Sequence, residues 1–178
     1  TNVSFYDNST GGAGGAMYNS ALPGGVSSPT LINVSFYNNS AKNAGGAMCN
    51  RASSNGVSTP PGVSSPTLTN VVFDGNIADK GGAMCNNSIG IFSESSPILT
   101  NVSFHDNSAR NIGGAIYNQV NSGGRIRLCL GNSVLWGNKS TNGSQIDNES
   151  DTNITIHYSL IEDGDVGIGG NSDTNAFS

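Results

Sequence analysis

Short motifs recur down the chain at a near-constant interval, and a fixed period restricts the fold more than any local preference does. One motif sets an aromatic three residues before an Asn: "FYDN" at 5–8, "FYNN" at 36–39, "FDGN" at 73–76 and "FHDN" at 104–107, then "LWGN" at 135–138. Phe5, Phe36, Phe73, Phe104 and Leu135 are therefore separated by 31, 37, 31 and 31 residues. A second motif follows each of them: "GGAM" at 14–17, 45–48 and 81–84, "GGAI" at 113–116 and a degraded "GSQI" at 143–146. A third precedes them, as "SSPTL" at 27–31 and 64–68, "SSPIL" at 95–99 and "IRLCL" at 126–130, with its Leu always five residues before the core position. "ITIHYSLIEDG" at 154–164 keeps Ile156 and Ile161 at that spacing while the flanking Asn positions fade.

Three short β-prone pieces per period, punctuated by Asn and Gly, predict an all-β chain. The expected fold is a right-handed parallel β-helix (β-solenoid) with three short strands per coil and five to six coils over residues 1–164. Residues 165–178 read as a Gly/Asp/Asn-rich exit segment. A helical repeat would show a 3.6-residue apolar pattern, which is absent. Val3, Val34, Val71 and Val102 stand two residues before the Phe column and share its inward face. Leu31, Leu68, Leu99 and Leu130 lie an odd number of residues before the Val column, so the chain must turn a corner between them. Asn33, Asn70, Asn101 and Asn132 occupy that corner.

Equivalent residues of successive coils stack about 4.8 Å apart, so identical Asn side chains can hydrogen-bond up and down the stack. Asn8, Asn39, Asn76, Asn107 and Asn138 predict one such ladder, the corner residues a second, and Asn19, Asn50, Asn86, Asn118 and Asn148 a third. Asn also tolerates the left-handed backbone of a turn. The six extra residues of the long step fall in 50–65, which marks that connection as the variable loop.

Charged residues make up 11% of the 178-residue chain, with a net charge of −5. A nucleic-acid partner is excluded on that ground, because such proteins concentrate Lys and Arg. No apolar run approaches the roughly 20 residues of a membrane-spanning helix, so no membrane span is expected here. The opening "TNVSF" lies inside a repeat unit, and the chain reads as a piece of a larger protein.

The "GGA[ILV]" and "FxxN" motifs, here Gly14, Gly15, Ala16 and Met17 with Phe5 and Asn8 and their counterparts in the next three coils, resemble those of the chlamydial polymorphic outer-membrane proteins. The "SSPTL…NVSF…N" wording is similar to a broad class of bacterial parallel β-helix surface proteins. Met stands where the family has a branched residue in three copies, and "GSQI" departs further. The resemblance implies a secreted, extracellular or cell-surface segment acting in adhesion or as a structural stalk or fibre. Surface glycans or a host or cell-surface protein would be its partners, and end-to-end or lateral self-association is a further expectation.

Enzymes of the β-helix class place acidic and basic side chains on the outward face of one strand. If Met17, Met48, Met84, Ile116 and Ile146 point inward, the outward columns are Ala16, Ala47, Ala83, Ala115, Gln145 and Tyr18, Cys49, Cys85, Tyr117, Asp147. Only Asp147 is an acid or base there, whereas a glycosidase needs two carboxylates. A non-catalytic chain is expected; the alternative is a polysaccharide-binding or polysaccharide-cleaving protein. A carbohydrate-binding role would use Tyr18, Tyr117 and the 50–65 loop. Cys49 and Cys85 share a column, so their Cα separation falls within the disulfide window, yet in-register side chains make the Cβ approach awkward. Both a disulfide and stacked free thiols fit that placement, and Cys129 should be unpaired. Lys42, Asp79 and Arg110 fall in one turn of successive coils as a small ion ladder, a place that Lys80 can hold instead of Asp79. Asp163, Asp165 and Asp173, with Glu162 and nearby Asn residues, are hard oxygen ligands that Ca²⁺ accepts, but their spacing is not that of an EF-hand loop. The expectation is a chain without a cofactor.

Overall fold

The computed structural model describes residues 2–57, 59–142 and 145–177. Three strands per coil follow one another in chain order. The first coil holds β1 (Val3–Tyr6), β2 (Ser9–Thr10) and β3 (Met17–Ala21), and the second β4 (Thr30–Tyr37), β5 (Ser40–Ala41) and β6 (Met48–Ser53). The third has β7 (Thr67–Asp74), β8 (Ile77–Lys80) and β9 (Met84–Ile89), and the fourth β10 (Ile98–His105), β11 (Ser108–Ile112) and β12 (Ile116–Asn121). In the fifth, β13 (Ile126–Gly131) and β14 (Val134–Trp136) precede β15 (Ile146–His157), and β16 (Leu160–Ile161) and β17 (Ile168–Phe177) follow. Every pairing is parallel and joins a residue to its counterpart one coil away: Phe36 with Phe5 and Phe73, Met48 with Met17 and Met84. The molecule is a right-handed parallel β-helix. Among the described residues no helix is long and apolar enough to cross a membrane.

The core columns explain why the coils sit on copies of themselves. The rings of Phe5, Phe36, Phe73 and Phe104 stack with centroids 5.0, 4.8 and 4.7 Å apart and planes within 7°. Leu135 and Ile161 continue the column, both buried. Leu68, Leu99 and Leu130 share this interior with Val34, Val71 and Val102 although the spacing between them is odd, while Val3, expected in the same column, is 43% exposed because no described coil covers it on one side. Asn33, Asn70, Asn101 and Asn132 resolve that conflict, because each adopts a left-handed φ of 49–56° and kinks its strand so that both halves face inward.

The paired glycines have two distinct tasks. Gly14, Gly45, Gly81 and Gly113 take φ between 59 and 68°, a region Gly enters without strain. Their neighbours approach the next coil so closely that a Cβ on Gly46 would lie 2.1 Å from the Gly82 carbonyl oxygen. The chain bends so sharply there that Ala47, Ala83 and Ala115 join the same interior as Met48, Met84 and Ile116. The expectation of an outward Ala column is therefore corrected: two consecutive inward residues are possible because the turn interrupts strand alternation.

Two further differences are physical. The left-handed backbone before the first ladder belongs to Asp7, Asn38, Gly75, Asp106 and Gly137, one residue ahead of the ladder Asn. Those Asn residues are there for their amides, not for a backbone conformation. The segment after 164 also does not leave the solenoid: after a short 3₁₀ turn at Gly164–Gly167, β17 pairs with β15 from Ile168 with Ile146 onward. Backbone pairing tolerates the loss of the repeat wording, which is why the sequence hides this coil.

Candidate functional site

Three amide ladders form the polar skeleton. In the first, Asn8, Asn39, Asn76 and Asn107 each donate through Nδ2 to the Oδ1 of the next Asn at 2.8–3.0 Å, ending on Asn138. The same Oδ1 atoms also accept the backbone N–H of the preceding ladder Asn, at 2.9–3.1 Å. From Asn39 onward each Nδ2 also donates to the carbonyl of the Phe one coil back, as from Asn76 to Phe36 at 3.0 Å. Asn138 passes the chain to Gln145, whose Nε2 reaches Glu162. The corner ladder is exposed, with Asn101 donating to Asn70 at 2.6 Å and Asn70 to Asn33 at 3.0 Å, and it stops there: Asn132, expected as its fourth member, keeps the left-handed corner at φ 49° without an amide bond to Asn101.

The third ladder lies inside strands, not at a turn. Asn19, Asn50, Asn86, Asn118 and Asn148 are buried, joined at 2.7–2.8 Å, on the same inward face as Met48 and Ala52. A further polar stack escaped the sequence reading. Ser28, Ser65 and Ser96 accept through Oγ the backbone N–H of Ser65, Ser96 and Arg127 at 2.9–3.0 Å. The repeated "SSP" carried that signal, since a side chain placed before Pro in every coil has its own copies as neighbours.

On the outside of β3, β6, β9 and β12 a groove of about 520 Å³ runs along the solenoid axis. Its floor is Tyr18, Cys49, Cys85 and Tyr117, its far rim Arg51, Asn87 and Gln119, and its near wall the turns at Ala13, Asn43 and Ala44, Asp79 and Lys80, and Asn111. Both tyrosines singled out in the sequence thus line one feature, at opposite ends. Tyr18 is 47% exposed, while Tyr117 is buried with Cys49 and Cys85 under Ala13, Ala44 and Ile112.

The chemistry of the floor follows from its burial. Cys49 and Cys85 are free thiols, paired in register. The hydrogen bond that the Cys85 thiol donates to Cys49, and then burial, push Cys85 well up from its ordinary value. Burial first, and then its hydrogen bond to the Glu149 carboxylate, push the Tyr117 phenol upward. Lys80 Nζ lies 3.3 Å from the Tyr117 hydroxyl and 4.9 Å from its ring centre. Glu149 was not singled out in the sequence, yet it stands two residues beyond Asp147 on the same strand, where its carboxylate accepts from Tyr117 and Gln119.

Of the ion ladder, Arg110 reaches Asp79 at 2.8 Å, both well exposed, while Lys80 turns to Tyr117. Of the residues considered for Ca²⁺, Asp163 is exposed at φ 65°, and Glu162 accepts from Gly137 N–H and Gln145. The side chains of Asp165 and Asp173 lie outside the described residues. The variable loop leaves β6 at Ser53 and rejoins the stack at Val63, which bridges Val26 and Glu94.

No curated protein and no solved structure matches the chain. A family model does, at residues 33–49 and 101–119, each span running from a left-handed corner Asn through the Phe and ladder Asn into the Gly-Gly turn. What that model describes is the Chlamydia polymorphic membrane protein repeat, and the chain is similar to it at both places.

Proposed function

We propose that this chain is a non-catalytic segment of a bacterial surface protein, displayed outside the cell as a stiff rod that serves adhesion or acts as a stalk. The observation that carries the reading is the uninterrupted stacking of Phe rings and buried amides through successive coils. Such columns resist bending, since tilting one coil on the next breaks several buried hydrogen bonds together. The polymorphic membrane protein repeat supports placement in an outer-membrane or surface protein. A coat poor in charge and rich in Asn, Ser and Thr suits contact with glycans, a cell-surface protein or neighbouring rods. The engagement of Glu149 by Tyr117 and Gln119 supports a structural carboxylate over a catalytic one.

Labelling of intact and permeabilised source cells with an antibody raised against the folded chain tests this reading. Labelling of intact cells is expected. Signal confined to permeabilised cells would overturn it.

A further inference from the structure

The chain is acidic overall, with 12 Asp and Glu against 7 Lys and Arg, yet two cations without a carboxylate partner among the described residues converge on the groove. Arg110 and Arg127 are neutralised by Asp79 and Glu94. Among the described residues Arg51, on the groove rim, is in no ion pair, and its buried Nε has no hydrogen-bond partner; nor has the buried Oδ1 of Asn87 one coil away. Turning the Arg51 guanidinium toward a ligand therefore breaks no existing bond. Lys80 faces it from the opposite wall, held by the Tyr117 hydroxyl and ring.

The acids nearby leave room for an anion between these cations. Asp79 is turned to Arg110, while Asp147 and Glu149 lie one coil beyond Tyr117, past the end of the stretch between the cations, and Tyr117 and Gln119 donate to Glu149. The open stretch runs from Tyr18 past Arg51 to Lys80. Its span of about two coil spacings, ~10 Å, fits a short extended chain. The half-exposed ring of Tyr18 offers an apolar face at its entrance.

The class of chain follows from what the groove lacks. Strands β6 and β9 are paired on both sides by neighbouring coils, so a peptide finds no open sheet edge to join as an added strand. What the groove offers are side-chain amides of Asn43, Asn87, Asn111 and Gln119, suited to hydroxyl groups, with two cations suited to carboxylates. We propose that this groove binds an acidic glycan, a short run of uronic-acid sugars lying along the solenoid axis with a carboxylate between Arg51 and Lys80. The proposal rests on the surface reading only in that a displayed protein meets glycans, and antibody labelling reports that reading separately.

The test is calorimetric titration of the whole chain with tetragalacturonate, its methyl ester and tetraglutamate, with amide chemical shifts followed by NMR. Tetragalacturonate is expected to bind, to shift residues 49–51, 80 and 85–87, and to weaken as salt rises. The uncharged ester should bind about tenfold or more weakly, and Arg51→Gln and Lys80→Gln should each reproduce that loss. Lys80→Gln also removes a contact to Tyr117, so thermal melts accompany both variants; Arg51→Gln alone decides the matter if Lys80→Gln does not fold. Equal binding of acid and ester, tighter binding of tetraglutamate, unchanged affinity in Arg51→Gln, or no binding at millimolar sugar would each overturn the proposal.

Discussion

Asn107 makes four side-chain hydrogen bonds while fully buried: it donates to the Phe73 carbonyl and Asn138 and accepts both from the N–H and Nδ2 of Asn76. Asn107→Ala strands several of those partners, and each buried group left unpaired costs about 1–3 kcal/mol. A loss of about 3 kcal/mol or more is expected in urea unfolding. Asn101→Ala should cost less, about 1–2 kcal/mol, since its ladder is exposed and the main penalty is Ala at φ 56°. Asn101→Gly should recover most of that loss, which separates backbone strain from the lost amide bond.

Cys85 and Tyr117 also set a pH dependence at this scale. Both are pushed upward, so the fold favours their protonated forms. The resulting stabilisation is complete below the ordinary pKa values, about 8.5 for Cys and 10 for Tyr, and is lost as pH rises through the folded ones. The melting temperature should therefore decline above about pH 9, and Tyr117→Phe should flatten the part of the decline above about pH 10. A melting temperature level up to strongly alkaline pH would contradict both assignments.

Among elements, the Gly-Gly turns are the points where one coil admits no change. A Cβ on Gly82 would sit 2.2 Å from the Gly114 carbonyl and within 2.7 Å of Ser108 backbone atoms, none of which can move without parting two coils. Gly82→Ala is expected to unfold the chain or lower its stability by several kcal/mol. Gly11→Ala, with nothing within 4 Å, should be neutral or slightly stabilising by ~0.4–1 kcal/mol. The 54–61 loop lies at the other extreme. Shortening it by six residues to restore a 31-residue coil should change stability by less than about 1 kcal/mol, because closure entropy varies slowly with loop length. Denaturant melts of the three variants check the ranking.

For the whole molecule, stability is close to a sum over coils and the contacts between neighbours. Coils three and four have a neighbour on each side and full ladders, whereas β1 has one partner and Val3 and Phe5 are less covered than Val34 and Phe36. Hydrogen exchange of the 178-residue chain should therefore be slowest in β7, β9 and β10 and graded toward β1, β2 and β3. Uniform protection across all coils would mean that the rod unfolds only as one unit.

The repeat wording by itself determined the coil, its three strands, the Phe core and, apart from Asn132, the membership of the amide ladders, because stacking forces each such position to meet its own copies. It also placed Tyr18 and Tyr117 in one column on the outer face of the third strand. Only the tertiary structure decided which way the Ala column faces, because a bend at Gly-Gly overrides strand alternation. It alone showed β17, where backbone pairing outlives side-chain identity. The groove was equally hidden: Arg51, Lys80, Asn87 and Glu149 differ from their counterparts in other coils, so no repeated motif marks them, and only the stacking of one coil on the next brings them together.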